Sequence, residues 1–254
     1  MNPSLSAILI ATDEETSLPA CLESLRGLVD EIVVVIDPAT RDRTEEVARA
    51  AGAKILRRPF DDYAAQRQAS LEMATGQWCL WIDPDETLSP ELRAEIKTSL
   101  ASSRVDAYSL PFEVWFMGRR LRWGGLGSER HVRLFRAGRA RFTGGLLHER
   151  LDVSGLSGGL LSGTIRHEPY RDLREYLEKL DRYTTLAARK RRDQGQRFSA
   201  WRHLVLPWEF FSRSVLKLGV LDGHAGLVWA GLAAFHSWLK YVKLREMELS
   251  EERP

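Results

Sequence analysis

Within the first 82 residues, four short apolar runs alternate with three helical stretches, and this alternation leaves the chain few folds to choose from. Leu5–Ile10, Glu31–Ile36, Ala53–Leu56 and Trp78–Ile82 read as strands; Leu18–Leu28, Thr44–Ala51 and Tyr63–Ala74 read as helices. The second strand, Glu-Ile-Val-Val-Val-Ile, is β-branched and apolar on both faces, so both faces need cover. Strands of that kind separated by helices predict an α/β fold with a mostly parallel sheet flanked by helices. Gly52 and Gly76 are expected to close the second and third helices.

Ligands of such a sheet lie beyond the carboxyl ends of its strands. Those ends carry Thr12-Asp13-Glu14-Glu15, Asp37-Pro38-Ala39-Thr40-Arg41-Asp42 and Asp83-Pro84-Asp85-Glu86, three acidic groups on one edge. Asp83 and Asp85, one residue apart where the chain turns, can share Mg²⁺ or Mn²⁺ and so balance the charge of a departing diphosphate. Two turn aspartates around Pro84 give the same spacing. Asp37 suits a ribose hydroxyl or the N–H of a base, and it also suits a turn ahead of the helix at Thr44. Asp42 divides between the same ligand role and the acidic start of that helix. Arg67 lies on a helix facing this edge, within reach of a phosphate; a lone helical arginine is as a rule a surface residue.

The 254 residues are 44% apolar, which excludes a disordered or fibrous chain, and the net charge of +2 speaks against a nucleic-acid binder. Charge is uneven: 20 basic against 23 acidic residues through Ile165, then 17 against 12. Cys21 and Cys79 have no metal-ligand or disulfide spacing, and the opening Met1-Asn2-Pro3-Ser4 lacks a basic signal segment, so a cytoplasmic location is expected. No apolar run reaches the roughly 20 residues of a spanning helix.

From Asp106 to His167 short strands such as Tyr108–Pro111 and Arg133–Phe135 alternate with Gly and Arg, and from Leu173 the chain is helical. Leu173–Arg192 carries a 3.6-residue apolar stripe and ends in Arg189-Lys190-Arg191-Arg192, which complements the helix dipole. Two apolar segments follow, Trp201–Leu221, broken at Pro207, and Ala225–Leu244. Their Trp, Phe and Leu beside Lys and Arg suit a membrane interface, and helices packed on the rest of the protein show the same pattern.

Residues 5–95 resemble the family-two glycosyltransferases. Thr12-Asp13-Glu14-Glu15 is similar to the family's Thr-x-Asn-Glu-Glu with Asp13 in place of Asn. Val34-Val35-Ile36-Asp37, Thr40-Arg41-Asp42-Arg43-Thr44, Ala74-Thr75-Gly76-Gln77-Trp78 and Asp85-Glu86 ahead of Leu88-Ser89-Pro90-Glu91-Leu92 follow its pattern. Further on, Trp123-Gly124-Gly125, Arg133-Leu134-Phe135-Arg136, His148-Glu149-Arg150-Leu151, Tyr170-Arg171-Asp172-Leu173 and Leu221-Asp222-Gly223-His224-Ala225-Gly226 look like the lipopolysaccharide inner-core β-glucosyltransferase branch.

The resemblance implies a GT-A fold, Rossmann-like and nucleotide-sugar-binding, over residues 1–167, with a donor half (1–100) and an acceptor half (101–167), then a C-terminal helical region (168–254). It implies a metal-dependent inverting transfer of a sugar, glucose from UDP-glucose, to a hydroxyl of a cell-envelope glycan, with peripheral contact at the inner membrane. Thr12, Glu14, Asp37, Arg67, Asp83 and Asp85 would bind the nucleotide sugar, Asp85 and His148 the metal, and Glu149 would be the general base, with Glu129 its competitor. Leu80-Trp81-Ile82-Asp83-Pro84-Asp85-Glu86-Thr87 also resembles the nucleophile motif of haloacid-dehalogenase-type phosphatases, whose later Gly-Asp-x-x-x-Asp is missing. A non-catalytic membrane-associated scaffold is the alternative of another class.

Overall fold

The computed structural model describes residues 3–102, 104–127, 129–144 and 149–251. The chain forms two compact units: Met1–Phe112 with Glu129–His167, and Glu113–Ser128 with Glu168–Pro254.

In the first unit, β1 (Leu5–Ala11), β2 (Glu31–Ile36), β3 (Lys54–Arg57) and β4 (Trp78–Trp81) are parallel in the order β3-β2-β1-β4. Their carboxyl ends therefore share one edge, as the alternation predicts. Beyond β4 the sheet turns antiparallel through β8 (Arg130–Arg136) and β6 (Ala107–Phe116), then β12 (Ile165–His167) and β5 (Glu86–Leu88). The short β11 (Gly158–Leu160) joins β6 in parallel, and β9 (Arg141–Thr143) with β10 (Arg150–Asp152) forms a separate hairpin.

Successive strand residues feed opposite cores. Leu9, Val34 and Leu80 pack with α1 (Leu18–Leu25) and α4 (Pro90–Ala101), whereas Ile8, Val33 and Cys79 pack with Leu71 of α3 (Tyr63–Met73). Each such fully buried aliphatic side chain stabilises the fold by about 1.5–3 kcal/mol. α1 exists because Leu18, Cys21, Leu22 and Leu25 fall on one buried face, and it ends short of Leu28 because Gly27 turns left-handed at φ 68°. α2 (Thr44–Ala50) is followed by Gly52 at φ 76°, the expected closure.

Gly76 does something other than close α3, which ends on Ala74 in an extended conformation. A Cβ at Gly76 would lie 2.6 Å from Ser6 Oγ and 2.8 Å from Ser6 N, so the glycine lets the chain press against β1.

In the second unit β6 continues into a hairpin with β7 (Arg119–Leu121). Val114, Phe116, Leu121 and Leu126 bury against Ala225, Val228, Trp229 and Leu232 of α7 (Gly223–Glu251). α5 (Leu173–Asp193) is capped by Asp172, which accepts from Glu175 N at 2.8 Å, and Tyr176 donates its hydroxyl to Leu232 O at 2.8 Å. Asp222, buried, accepts the backbone N–H groups of Arg122 and Trp123. The expected break at Pro207 does not occur. Pro207 sits in the first turn of α6 (Val205–Phe211), where its missing N–H has no partner to lose. The break comes later, at a wide helical turn over Ser212–Leu216 followed by Leu218 at φ 58°.

Candidate active site

The turns after β1 and β2 are stitched together by Asp42. It accepts from Glu15 N at 2.9 Å and from Thr44 N at 2.9 Å, and Thr44 Oγ1 in turn accepts from Glu14 N at 2.7 Å. Asp42 is therefore a structural residue, its carboxyl held low because these hydrogen bonds outweigh partial burial. Glu14 accepts the Ser17 hydroxyl, Thr12 is exposed at the end of β1, and Asp37 accepts from Ala39 N at 2.9 Å, fixing its own turn rather than capping α2. Asp13, at φ 57°, accepts from Arg41 N at 2.7 Å and completes the connection of the two turns.

At the end of β4 the chemistry concentrates. Asp83 takes Arg67 Nη1 on one oxygen at 2.6 Å and Arg133 Nη2 on the other at 3.3 Å. Arg133 also reaches Glu86 at 2.8 Å, and Arg67 Nε lies 3.4 Å from Glu149. Both guanidiniums rest on Trp81, 4.5 and 4.0 Å from its ring centroid, an attraction added to the ion pairs. Arg67 is not a surface residue: its side chain is 8% exposed, as is that of Arg133. Burial alone would raise the Asp83 carboxyl; Arg67 and Arg133 overcome it and hold Asp83 well below the usual carboxylate range. Glu86 moves the other way, raised by burial with Asp83 and Asp85 adding to it.

One step further, β12 pairs with β5 so that His167 faces Glu86. His167 Nε2 lies 3.5 Å from Asp85 Oδ2, and the ligand atoms of Asp85, Glu86 and His167 all fall within 4.8 Å of one another. Two carboxylates and an imidazole are a donor set for a divalent first-row cation. His148, expected as the second metal ligand, lies outside the described residues. Sequence reading missed Glu86 and His167 as candidate ligands and Arg133 as the second partner of Asp83. Glu129, the competing base, is half exposed at the start of β8, its carboxylate 3.9 Å from His131 Nε2.

Residues 6–155 match the family model of glycosyl transferase family 2. The lipopolysaccharide core biosynthesis glycosyltransferase LpsC of Rhizobium meliloti is 27% identical over 258 residues, covering 98% of this chain and 95% of the relative. An uncharacterized glycosyltransferase of Rickettsia typhi is 27% identical over 257 residues, 96% of this chain and 88% of the relative. Among solved structures, S. aureus TarS in complex with UDP aligns with a TM-score of 0.39 at 21% identity, over 46% of this chain and 37% of that one. Glucosyl-3-phosphoglycerate synthase of Mycobacterium tuberculosis, solved with Mn²⁺, UDP and glucosyl-3-phosphoglycerate, aligns at 0.35 and 23% identity over 44% of each chain. The matched stretch is less than half of either solved chain.

Proposed function

Given that the chain belongs to glycosyl transferase family 2, we propose that this enzyme is a metal-dependent, inverting transferase that moves glucose from UDP-glucose to a hydroxyl of a lipopolysaccharide-core-type glycan. The observation that carries this reading is the convergence of Asp85, Glu86 and His167 within 4.8 Å, beside an Asp83 gripped by two arginines. The phosphatase alternative lapses with the family match, and so does the non-catalytic scaffold.

Mn²⁺ or Mg²⁺ held by Asp85, Glu86 and His167 would offset the charge that develops on the departing diphosphate, and the imidazole in the set favours Mn²⁺. The remaining work falls to side chains. Asp37, with Thr12 and Glu14 on the neighbouring turn, reads the nucleotide from the strand ends. Asp83, fixed in one orientation by Arg67 and Arg133, meets the ribose side of the donor. Glu149 takes the proton of the acceptor hydroxyl as that oxygen bonds to the anomeric carbon. The bond from that carbon to the diphosphate breaks in line, its electron pair leaving with the phosphate oxygen, so configuration inverts. Arg67, 3.4 Å away, holds the Glu149 carboxylate in place.

The kinship with LpsC, over 98% of this chain, supports a lipopolysaccharide-core acceptor. Such an acceptor is a glycolipid, which carries the reaction to the cytoplasmic face of the inner membrane. The test is thermal unfolding with UDP-glucose and other nucleotide sugars, with and without Mn²⁺. A donor at about 100 times its Kd stabilises by about 2.7 kcal/mol. Stabilisation by UDP-glucose that vanishes on chelation is expected; none at saturating donor and Mn²⁺ overturns the reading.

A further inference from the structure

The helix α6, Val-Leu-Pro-Trp-Glu-Phe-Phe, buries none of its residues, nor does the turn Ala200–Leu204 that leads into it. Of the 18 large apolar side chains exposed among the described residues, 11 lie between Trp201 and Leu227. Trp201 is 56% exposed, Leu204 65% and Trp208 60%. Apolar surface gathered this densely marks a contact with another body rather than ordinary surface composition.

Charge selects the kind of body. From Arg189 to Lys217 eight basic residues stand against two acidic ones, and of those two Glu209 is paired with Arg213 at 3.2 Å. Basic groups beside indoles and apolar rings match an anionic bilayer: phosphates take the cations, the headgroup boundary takes tryptophan, and the acyl region takes Leu and Phe. The backbone sets the depth. Among the described residues no single helix is long and apolar enough to cross a membrane, and the arms Ala200–Leu216 and Gly219–Glu251 reach that length and composition only as a pair bent by 71°. Arg202, Glu209 and Arg213 also interrupt the first arm, which suits residence in the interface and not in the bilayer centre.

We infer that residues 200–221 form a monotopic wedge that enters one leaflet of an anionic phospholipid bilayer, led by Trp201, Leu204, Trp208 and Phe211. This rests on the membrane contact of the proposed function and gives it a site.

The experiment is vesicle flotation of the full chain with 70:30 phosphatidylcholine:phosphatidylglycerol against phosphatidylcholine alone. The chain is expected to float with the anionic vesicles at low salt and far less with the neutral ones. Trp201→Glu with Trp208→Glu should cut binding at least about tenfold, both side chains being too exposed to hold the fold together. Lys190→Gln with Arg192→Gln should weaken it and flatten its salt dependence. No flotation with anionic vesicles overturns the inference, as do tryptophan variants that float like the parent. So does a concentration-dependent dimer that the variants split, since a second copy would then cover the patch. Turnover of UDP-glucose, measured alongside, separates the two readings: turnover without flotation sinks only the wedge, and flotation without turnover sinks only the proposed reaction.

Discussion

His167 stands directly across from Glu86 in the β12–β5 pair, and its Nε2 comes within 3.5 Å of Asp85. A three-residue strand thus carries an imidazole to the end of β4, where the two carboxylates already sit. His167→Ala should weaken Mn²⁺-dependent UDP binding by about 10–100-fold, read by titration calorimetry, with thermal stability little changed. A His148→Ala variant that loses this binding while His167→Ala keeps it would move the metal site away from these three residues.

Glu149→Gln should lower kcat by about 10²–10⁴-fold and leave donor affinity within a few fold, because a neutral amide cannot take the acceptor's proton. Glu129→Gln serves as the control and should turn over near-normally. The opposite pattern would hand the role to Glu129.

Arg67 is shared by Asp83 and Glu149 from a buried position. Arg67→Met leaves Asp83 to Arg133 alone and takes from Glu149 its buried partner, and should cost about 3 kcal/mol in urea unfolding as well as activity. Arg67→Lys should recover part of the stability and little of the activity, since one ammonium cannot replace the planar fork that reaches both acids. Full activity in the lysine variant would show that the bridge has no part in the reaction.

Glu31 gives the chain an acid limit. Partial burial raises its carboxyl, but bonds from Lys54, Ser6 and Thr75 overcome this and bring it down to about 2. Because the folded value lies below the unfolded one, the stabilisation is complete above about pH 4.5 and disappears as pH falls through 2. Its size is on the order of 2–3 kcal/mol. Urea unfolding from pH 6 to 2 should fall more shallowly in Glu31→Gln than in the parent; parallel slopes would rule Glu31 out as the cause.

Legibility followed locality. β2 was readable to the residue because five consecutive β-branched apolar positions, Ile32 to Ile36, admit no helical period. The strand-end acids were readable because parallel pairing forces them onto one edge. Arg67 looked like surface because nothing in its own helix shows that Asp83, 16 residues on, draws it inward. His167 left no sequence signal: it lies 81 residues after Glu86, in a strand too short for a period, and only the register of β12 on β5 brings them together. Pro207 misled for a different reason, since proline breaks a helix interior but not a first turn.

The second unit is discontinuous along the chain, and this decides what truncation can isolate. Residues 113–128 leave the ribosome long before α7, yet Val114, Phe116, Leu121 and Leu126 find their cover on it. A fragment ending at His167 would release an apolar hairpin in search of a partner, so it should aggregate rather than yield a free-standing transferase. During synthesis the same segment must wait, exposed, until α7 has emerged. Folding of the second unit closes on α7.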